Sequence, residues 1–305
     1  MISKRLLFCV AALTTMLTGC ADYGSFVADA AINPPEVERL RSTNGTEIEV
    51  FHIDTQPNPA GTIFFVTGSG CASLRYYLRH YFASFPGGWR IFASQKAGVS
   101  PLSTGMGCSR DFDAQYTLPE ILTRNREALS AVIARQGKVD ALFGVSEGGD
   151  VAATLAGENP SVGRLVVIGS GGMSMRESLR MLARRSELPV SSEQVQESYE
   201  RIAADPASVD KRLLGLPFRY WSSSLDVDPI PLYRRISQPT YILFGEKDQS
   251  APVESVEKLR DDPEIRKQGK ITVEIVPGAS HTLTRSGVDL KPELFSKINA
   301  WLASR

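Results

Sequence analysis

Lys138-Val-Asp-Ala-Leu-Phe-Gly-Val-Ser-Glu-Gly-Gly-Asp150 is the stretch of sequence that decides the fold. The apolar run that ends at Val145 predicts a buried β-strand, because strands covered on both faces show no polar alternation. The residues from Asp150 to Ala156 predict a helix. A tight turn at Gly144-Val-Ser-Glu-Gly148 must therefore join the strand to the helix.

This turn matches the G-x-S-x-G pattern of a nucleophile elbow, in which a serine stands between a strand and a helix. Ser146 would adopt a strained backbone conformation, and side chains two residues away on either side would collide with the strand or the helix. Gly144 and Gly148 avoid those collisions, and Gly149 lets the helix pack closely on the sheet. Ser146 is thus a candidate nucleophile, and an idle serine in a glycine-rich turn is the alternative.

The N-terminus resembles the signal of a bacterial lipoprotein. Lys4 and Arg5 precede the apolar stretch Leu6-Leu-Phe-Cys-Val-Ala-Ala-Leu13, which is short for a membrane span and typical of a signal peptide. The segment ends in Leu17-Thr-Gly-Cys20, which is similar to the lipobox at which such signals are cut. An ordinary secretory signal with a stray cysteine is the alternative.

The lipoprotein resemblance implies a signal peptide over residues 1–19, an acylated Cys20 (palmitate or a similar chain) and a tether over residues 20–35. More than one acyl chain gives stable anchoring to a membrane. Ala21, rather than aspartate, follows the cysteine, which in that family directs the protein to the outer membrane. We therefore expect a lipid-anchored protein on the periplasmic face of the bacterial cell envelope.

Composition excludes several classes of function. The 305 residues are 42% hydrophobic, enough for one large core, and 34 basic residues balance 34 acidic ones. Without a basic field or aromatics interleaved with cations, no nucleic-acid partner is expected. H-E-x-x-H, C-x-x-C and phosphate-loop motifs are all absent from the sequence, so no metal and no cofactor is expected. The oligomeric state is left open.

Most of the chain alternates predicted strands with predicted helices. Asn44-Gly45 separates two alternating runs, Glu36–Arg41 and Glu47–Ile53, which predicts a hairpin closed by a type I′ turn. Apolar runs predict further strands, at residues 62–67, 89–94, 164–169, 239–245 and 271–276. This pattern predicts an α/β fold with a mostly parallel twisted sheet covered on both faces.

Residues 173–235 interrupt the alternation. They show no strand pattern and contain amphipathic helical patterns near residues 174–186, 192–204 and 206–214. We therefore predict a helical cap inserted into the sheet domain. Within it, Phe218-Arg-Tyr-Trp221 either lines a substrate pocket or packs on the core.

A serine nucleophile needs a general base, and the sequence offers three histidines. His52 lies within a predicted strand and His80 within a predicted helix, positions where side chains usually serve packing. His281 lies in a loop directly after the last predicted strand, and open α/β sheets place their sites at the carboxyl ends of strands. His281 is therefore the candidate base, with a surface-loop histidine as the alternative.

The acid that orients the base should lie in another loop at the same edge of the sheet. Gly245-Glu-Lys-Asp248 follows the penultimate strand and offers Asp248, with Glu246 as the second candidate. The order Ser, Asp, His is that of the α/β-hydrolases, and the sequence resembles this family from about Glu36 to Arg305. In that family the acid commonly stands in a G-x-x-D motif, which favours Asp248.

The α/β-hydrolase resemblance also implies two backbone donors for an oxyanion. One is the N–H of Glu147, at the start of the elbow helix, where the helix dipole favours negative charge. Family members often have His-Gly after the third strand, and this chain has Thr67-Gly68. The aligned donor is the N–H of Ser69, and the N–H of Gly70 is the alternative.

The resemblance implies a serine hydrolase that cleaves carboxylic ester or related acyl bonds in a small-molecule substrate through an acyl-enzyme. A peptidase or an acyltransferase would use the same residues. A catalytically silent binding lipoprotein on a hydrolase scaffold is the alternative from another class.

Cys71 and Cys108 are expected to form a disulfide bond. An exported protein passes through an oxidising compartment, where paired cysteines usually bridge. In the α/β-hydrolase arrangement the third and fourth strands are neighbours, so the loops that hold the two cysteines should emerge side by side. Two unrelated buried thiols are the alternative.

Overall fold

The computed structural model describes residues 32–304. No helix in that range is both long enough and apolar enough to cross a bilayer. The predicted signal peptide, the acylated Cys20 and most of the predicted tether lie outside the described residues. These features therefore stay predictions.

Eight of the strands in the described range form one sheet. The strands in chain order are β1 (Glu36–Arg41), β2 (Glu47–Asp54), β3 (Gly61–Val66), β4 (Trp89–Ser94), β5 (Val139–Val145), β6 (Val162–Ile168), β7 (Arg212–Leu213), β8 (Leu216–Pro217), β9 (Thr240–Gly245), β10 (Ile271–Val276), β11 (Thr284–Arg285) and β12 (Val288–Asp289). The order across the large sheet is β1-β2-β4-β3-β5-β6-β9-β10. β1 and β4 each pair antiparallel with β2, and every other neighbouring pair is parallel. The predicted mostly parallel sheet with an N-terminal hairpin is confirmed.

Helices connect the parallel strands. Those with both ends in the described range are α1 (Leu74–Tyr81), α2 (Arg110–Gln115), α3 (Leu118–Gln136), α4 (Glu147–Glu158), α5 (Met175–Arg184), α6 (Ser192–Ala204), α7 (Phe218–Ser224), α8 (Ile230–Arg235), α9 (Val253–Asp261), α10 (Pro263–Gln268) and α11 (Lys291–Ala303). α2 lies within the stretch after β4 that carries no helical pattern strong enough to predict it.

The core has one apolar cluster on each face of the sheet, because successive side chains of a strand point to opposite faces. Phe64 and Phe65 are adjacent on β3 and fully buried, and they belong to different clusters. Burial on both faces explains why the strands are apolar throughout.

The hairpin between β1 and β2 is confirmed, but its predicted type I′ turn is wrong. Asn44 does not have a positive φ, whereas Gly45 has a φ of 85°. The N–H of Gly45 donates to the carbonyl of Ser42 at 2.9 Å, and that of Ser42 donates to the carbonyl of Thr46 at 2.8 Å. The loop is therefore a longer one, with a turn at Ser42–Gly45 and glycine supplying the single left-handed residue.

Residues 173–235, called the cap segment below, join β6 to β9 and contain four helices, α5 to α8. The predicted third helix near residues 206–214 is wrong. The chain there instead forms the short β7–β8 ladder, which reverses at Leu214 and Gly215 with φ of 47° and 82°. Two successive residues with positive φ end any helix at this point.

Candidate active site

Ser146 has the backbone strain that the elbow pattern predicts. Its φ is 54° and its ψ is −125° at the N-terminal end of α4, a combination that costs about 1–3 kcal/mol for a non-glycine residue. The N–H of Ser146 donates to the carbonyl of Ile168 on β6 at 2.7 Å. The surrounding sheet thus holds the serine in a conformation that the chain alone would not adopt.

The three elbow glycines are required by close contacts. A Cβ atom on Gly144 would lie 2.3 Å from the carbonyl oxygen of Gly148, and one on Gly148 would lie 2.2 Å from the carbonyl oxygen of Val66. A Cβ on Gly149 would lie 2.9 Å from a methyl group of Val167 on β6. The steric interpretation of the elbow is confirmed at each glycine.

His281 and Asp248 are joined by a hydrogen bond of 2.6 Å between Nδ1 and Oδ2. The Asp248 side chain is fully buried and that of His281 is 22% exposed. The other oxygen of Asp248 accepts the N–H groups of Ser250 and Ala251 at 2.7 and 3.0 Å. With the carboxylate accepting from Nδ1–H, Nε2 of His281 is free to accept a proton.

The structure separates the two acid candidates. The carboxylate of Glu246 accepts the backbone N–H of Gly278 at 2.7 Å. That contact closes the loop after β10, whereas Asp248 touches the imidazole itself. Asp248 is therefore the residue placed to orient His281.

Ser146 and His281 line the same two cavities. The imidazole of His281 packs against the residue that follows β6, because a Cβ on Gly169 would lie 2.9 Å from its Cε1. His52 lies on β2 and faces Glu36 at 3.3 Å. His80, on α1, lies on the wall of the second cavity, a position that its place within a helix did not predict.

The loop after β3 lies against the elbow, where a Cβ on Gly68 would be 3.2 Å from Cβ of Ser146. Lys96, two residues after the end of β4, holds this loop in place through hydrogen bonds. Its Nζ donates to the carbonyls of Gly68 at 2.6 Å and of Gly70 at 3.4 Å. These two carbonyls flank Ser69, so the lysine fixes the peptide that carries the predicted oxyanion donor.

Lys96 also forms a buried ion pair with Glu147, at 2.8 Å, and the two side chains are only 7% and 5% exposed. The hydroxyl of Tyr116 donates to the other oxygen of Glu147. Tyr220, from α7, stacks on Tyr116 with ring centres 4.5 Å apart. A carboxylate next to Ser146 would oppose an oxyanion formed there, and the ammonium group of Lys96 offsets that charge.

The same network distinguishes the two candidate oxyanion donors. The N–H of Gly70 donates to the hydroxyl of Tyr116 at 3.3 Å, so it is already used. Ser69 lines both cavities beside Ser146. The geometry therefore favours Ser69 over Gly70 as the partner of Glu147.

A disulfide bond joins Cys71 and Cys108, with Cα atoms 5.6 Å apart and 37 residues of sequence separation, which confirms the predicted pairing. The two loops run side by side, and the N–H of Ser73 donates to the carbonyl of Ser103 at 2.8 Å. In the chain-entropy model a cross-link of this span stabilises the fold by about 4 kcal/mol. The bridge is a second anchor for the loop that contains Ser69.

The first cavity has a volume of about 270 Å³ and lies between the elbow and the cap segment. Its cap-segment wall is mostly apolar, with Met173, Met175, Leu179, Leu214, Leu216 and Trp221. Tyr220 and Trp221 both line it, whereas Phe218 is fully buried in the core. Both interpretations of this aromatic segment thus hold, for different residues.

Asp150 also lines the first cavity, on the first turn of α4. Burial raises the pKa of its carboxyl to about 7, because desolvation disfavours the charged form. Since the unfolded-state pKa is near 4, the native state binds the extra proton between about pH 4 and pH 7. This site therefore stabilises the fold at low pH relative to high pH, and that advantage is lost as the pH rises through about 7.

We expect Asp150→Asn to remove this pH dependence. Relative to wild type, the variant should gain up to about 4 kcal/mol of unfolding free energy at pH 8, and less at pH 5. Partial exposure of the residue reduces the gain below that bound. Denaturant unfolding at the two pH values measures it. An equal effect of the substitution at both would contradict the raised pKa.

The second cavity, of about 350 Å³, lies on the other side of Ser146. Its wall includes the loop residues His281, Thr282 and Leu283 together with Tyr77 and Tyr81 of α1. Ser146 thus stands between two spaces, one under the cap segment and one beside the His281 loop.

Within residues 32–304, no group of three or more histidine, cysteine and acidic side chains is placed to hold a metal ion. The groups that surround Ser146 are the His281–Asp248 pair, backbone N–H groups and the buried network of Lys96, Glu147 and Tyr116. This set can support nucleophilic attack by a hydroxyl group and proton transfer through an imidazole.

No family model matches the sequence, and no curated protein sequence matches it either. The fold, in contrast, has many solved relatives. An esterase from Pyrococcus furiosus superposes with a TM-score of 0.60 at 12% identity, covering 88% of this chain and 90% of its own. An alpha/beta hydrolase from Novosphingobium aromaticivorans gives a TM-score of 0.52 at 16% identity, covering 88% and 98%.

An acylaminoacyl peptidase from Pyrococcus horikoshii gives a TM-score of 0.53 at 12% identity, over 88% of this chain and 40% of that one. Identities this low establish the fold alone. The chain has the α/β-hydrolase fold, as its resemblance to that family implied. Because one fold hosts many activities, the function must be argued from the site.

Proposed function

We propose that the protein is a serine hydrolase that cleaves carboxylic esters. Ser146 is the nucleophile, His281 is the general base and Asp248 orients His281. The N–H groups of Glu147 and Ser69 stabilise the oxyanion. The observation that carries the proposal is the strained Ser146, which shares two cavities with the His281–Asp248 pair.

In the first half of the reaction, Oγ of Ser146 attacks the acyl carbonyl while Nε2 of His281 takes the hydroxyl proton. The tetrahedral oxyanion collapses when the bond to the alcohol breaks, and His281 returns the proton to the leaving oxygen. A water molecule then repeats these steps on the acyl-enzyme and releases the acid. No cofactor is needed for either half.

The two cavities suit the two parts of an ester. The leaving alcohol receives its proton from His281, which lines both cavities. Its loop neighbours Thr282 and Leu283 line the second cavity, and we assign the alcohol to that cavity. The acyl group then occupies the first cavity, whose cap-segment wall is mostly apolar. An apolar pocket with a few polar groups is typical of small-molecule sites.

Peptidase and acyltransferase activities remain alternatives on the same residues, and the peptidase among the structural neighbours makes amides worth testing. We expect p-nitrophenyl esters from acetate to decanoate to be cleaved far faster than the matching p-nitroanilides. Trp221→Ala, which opens the first cavity, should change the preference among acyl lengths more than the rate with acetate. Faster cleavage of the anilides would favour a peptidase.

We also propose that the mature protein begins at an acylated Cys20 on the periplasmic face of the outer membrane. The lipobox-like Leu17-Thr-Gly-Cys20 and the following Ala21 support this proposal. Mass spectrometry of the N-terminal peptide tests it. An unmodified Cys20, or cleavage at another bond, would overturn it.

A further inference from the structure

One acidic side chain in the proposed acyl cavity has no role in the reaction steps described above. Asp150 lies on the first turn of α4, about one helical turn beyond Ser146, so the two residues are roughly 6 Å apart along the axis. Asp150 borders the cavity, as do the apolar residues Met175 and Leu179. The Asp150 carboxyl group therefore lies within reach of an acyl group attached to Ser146.

One oxygen of the Asp150 carboxyl has no partner in the described part of the protein. Oδ1 is buried and has no hydrogen-bond partner within the described part of the chain. Burial, and then the charge of Asp150, raise the pKa of Tyr233. Within residues 32–304 the buried Tyr233 hydroxyl also has no hydrogen-bond partner, so it does not donate to Asp150. Buried polar atoms in proteins are paired in the great majority of cases, so an unpaired carboxyl oxygen calls for a reason.

Helix capping does not supply that reason. An acidic residue in the first turn of a helix gains typically 0.3–1 kcal/mol from the dipole when it is exposed to water. The position of Asp150 is buried enough to raise its pKa, so desolvation there works against the charge. A side chain kept for stability alone would be apolar or would be paired.

We propose that Asp150 is a specificity residue, whose carboxyl accepts a hydrogen bond from an N–H or O–H group on the acyl part of the substrate. This inference rests on the proposed esterase function. It narrows the substrate class from acyl esters in general to acyl esters that carry a hydrogen-bond donor a few bonds from the carbonyl carbon. The apolar wall formed by Met175 and Leu179 contacts the rest of the acyl group.

A matched pair of esters tests the donor requirement. In p-nitrophenyl N-acetylglycinate and p-nitrophenyl 4-oxopentanoate the acyl groups differ only by N–H in place of CH₂. We expect kcat/KM of the wild type to be about 10- to 100-fold higher for the N-acetylglycinate, because an apolar CH₂ would leave the buried carboxyl unpaired. p-Nitrophenyl acetate serves as the reference ester, because its acyl group carries neither the N–H nor the CH₂ that is compared.

Two substitutions then assign the preference to Asp150. Asp150→Leu should bring the ratio of the two kcat/KM values to about 1, because it removes the acceptor. Asp150→Asn keeps one carbonyl oxygen and should retain part of the preference. Glu158→Gln is the control, since this exposed carboxylate at the far end of the same helix pairs with Arg126. It should leave the wild-type ratio unchanged.

The outcomes separate the two levels of the proposal. The wild type could hydrolyse p-nitrophenyl acetate and yet show equal kcat/KM for the two matched esters. That result would overturn the role of Asp150 and leave the esterase proposal standing. A preference that persists in Asp150→Leu would also overturn that role. No hydrolysis of any ester, including acetate, by folded wild type would overturn the esterase proposal and this inference with it.

Discussion

Ser146→Ala and His281→Ala should each lower kcat/KM for ester hydrolysis by about 10⁴- to 10⁶-fold. The reason is that the hydroxyl and the imidazole act in one step, with the imidazole removing the proton as the oxygen attacks. The double variant should be scarcely worse than either single variant, because residues that act as a unit are strongly non-additive. Steady-state kinetics with p-nitrophenyl acetate measure all three proteins.

Asp248→Asn should cost less, about 10³- to 10⁴-fold. An amide can present its NH₂ group to Nδ1, which would select the histidine tautomer that has its proton on Nε2. Glu246→Gln is the matched control, because this carboxylate lies two residues away and accepts the Gly278 N–H. It should keep full activity. Equal losses in the two variants would show that the loop, and not the His281 contact, matters.

Lys96→Met should produce the second large effect. The substitution leaves Glu147 as an unpaired buried charge, which costs about 3–5 kcal/mol of stability. It also removes the ammonium group that donates to the carbonyls of Gly68 and Gly70 and so holds the peptide of Ser69 in place. Loss of one oxyanion donor costs about 10²- to 10³-fold in kcat, so we expect a loss of that size with little change in KM. Chemical denaturation and kinetics measure the two effects separately.

A double variant separates positioning from stability. Lys96→Met combined with Glu147→Gln removes both buried charges while keeping an oxygen for the hydroxyl of Tyr116, so it should recover most of the stability. The kcat loss should remain, because the loop carbonyls still lack their donor. Full recovery of kcat would mean that Lys96 acts only through stability. Lys138→Met, at an exposed lysine paired with Asp140, controls for loss of charge.

Local sequence was enough to predict the features that depend on sterics between neighbours. Gly144 and Gly148 indicated the elbow because a side chain at either position would collide with backbone. His281 was found by elimination, since it alone among the three histidines follows a predicted strand at its carboxyl end. Asp248 needed the family pattern as well, because the sequence alone could not separate it from Glu246.

The buried network around Lys96 depends on distant contacts and could not be predicted. Lys96 lies 51 residues from Glu147 and Tyr116 lies 31 residues from it, so no short pattern links them. A lysine two residues after the end of β4 was the available signal. From the sequence, Asp150 was predicted simply to begin a helix. Its position beside the cavity and its buried, unpaired oxygen distinguish it from other acidic residues at helix starts.

The helix wrongly predicted near residues 206–214 has a local cause. Amphipathic spacing there resembles a helix, yet Leu214 and Gly215 adopt positive φ and the chain turns back on itself. Trp221 helps to stabilise this turn over a helix, since its indole N–H donates to the carbonyl of Leu213 at 2.8 Å. Tertiary contacts here outweigh helix propensity.

Reaction of the purified protein with a fluorophosphonate probe tests the central claim most directly, because the probe requires an activated serine. We predict that the wild type is labelled on Ser146, as located by peptide mass spectrometry. Folded Ser146→Ala and His281→Ala should both stay unlabelled. Folded wild type that does not react, or that carries the label on another residue, would contradict the account.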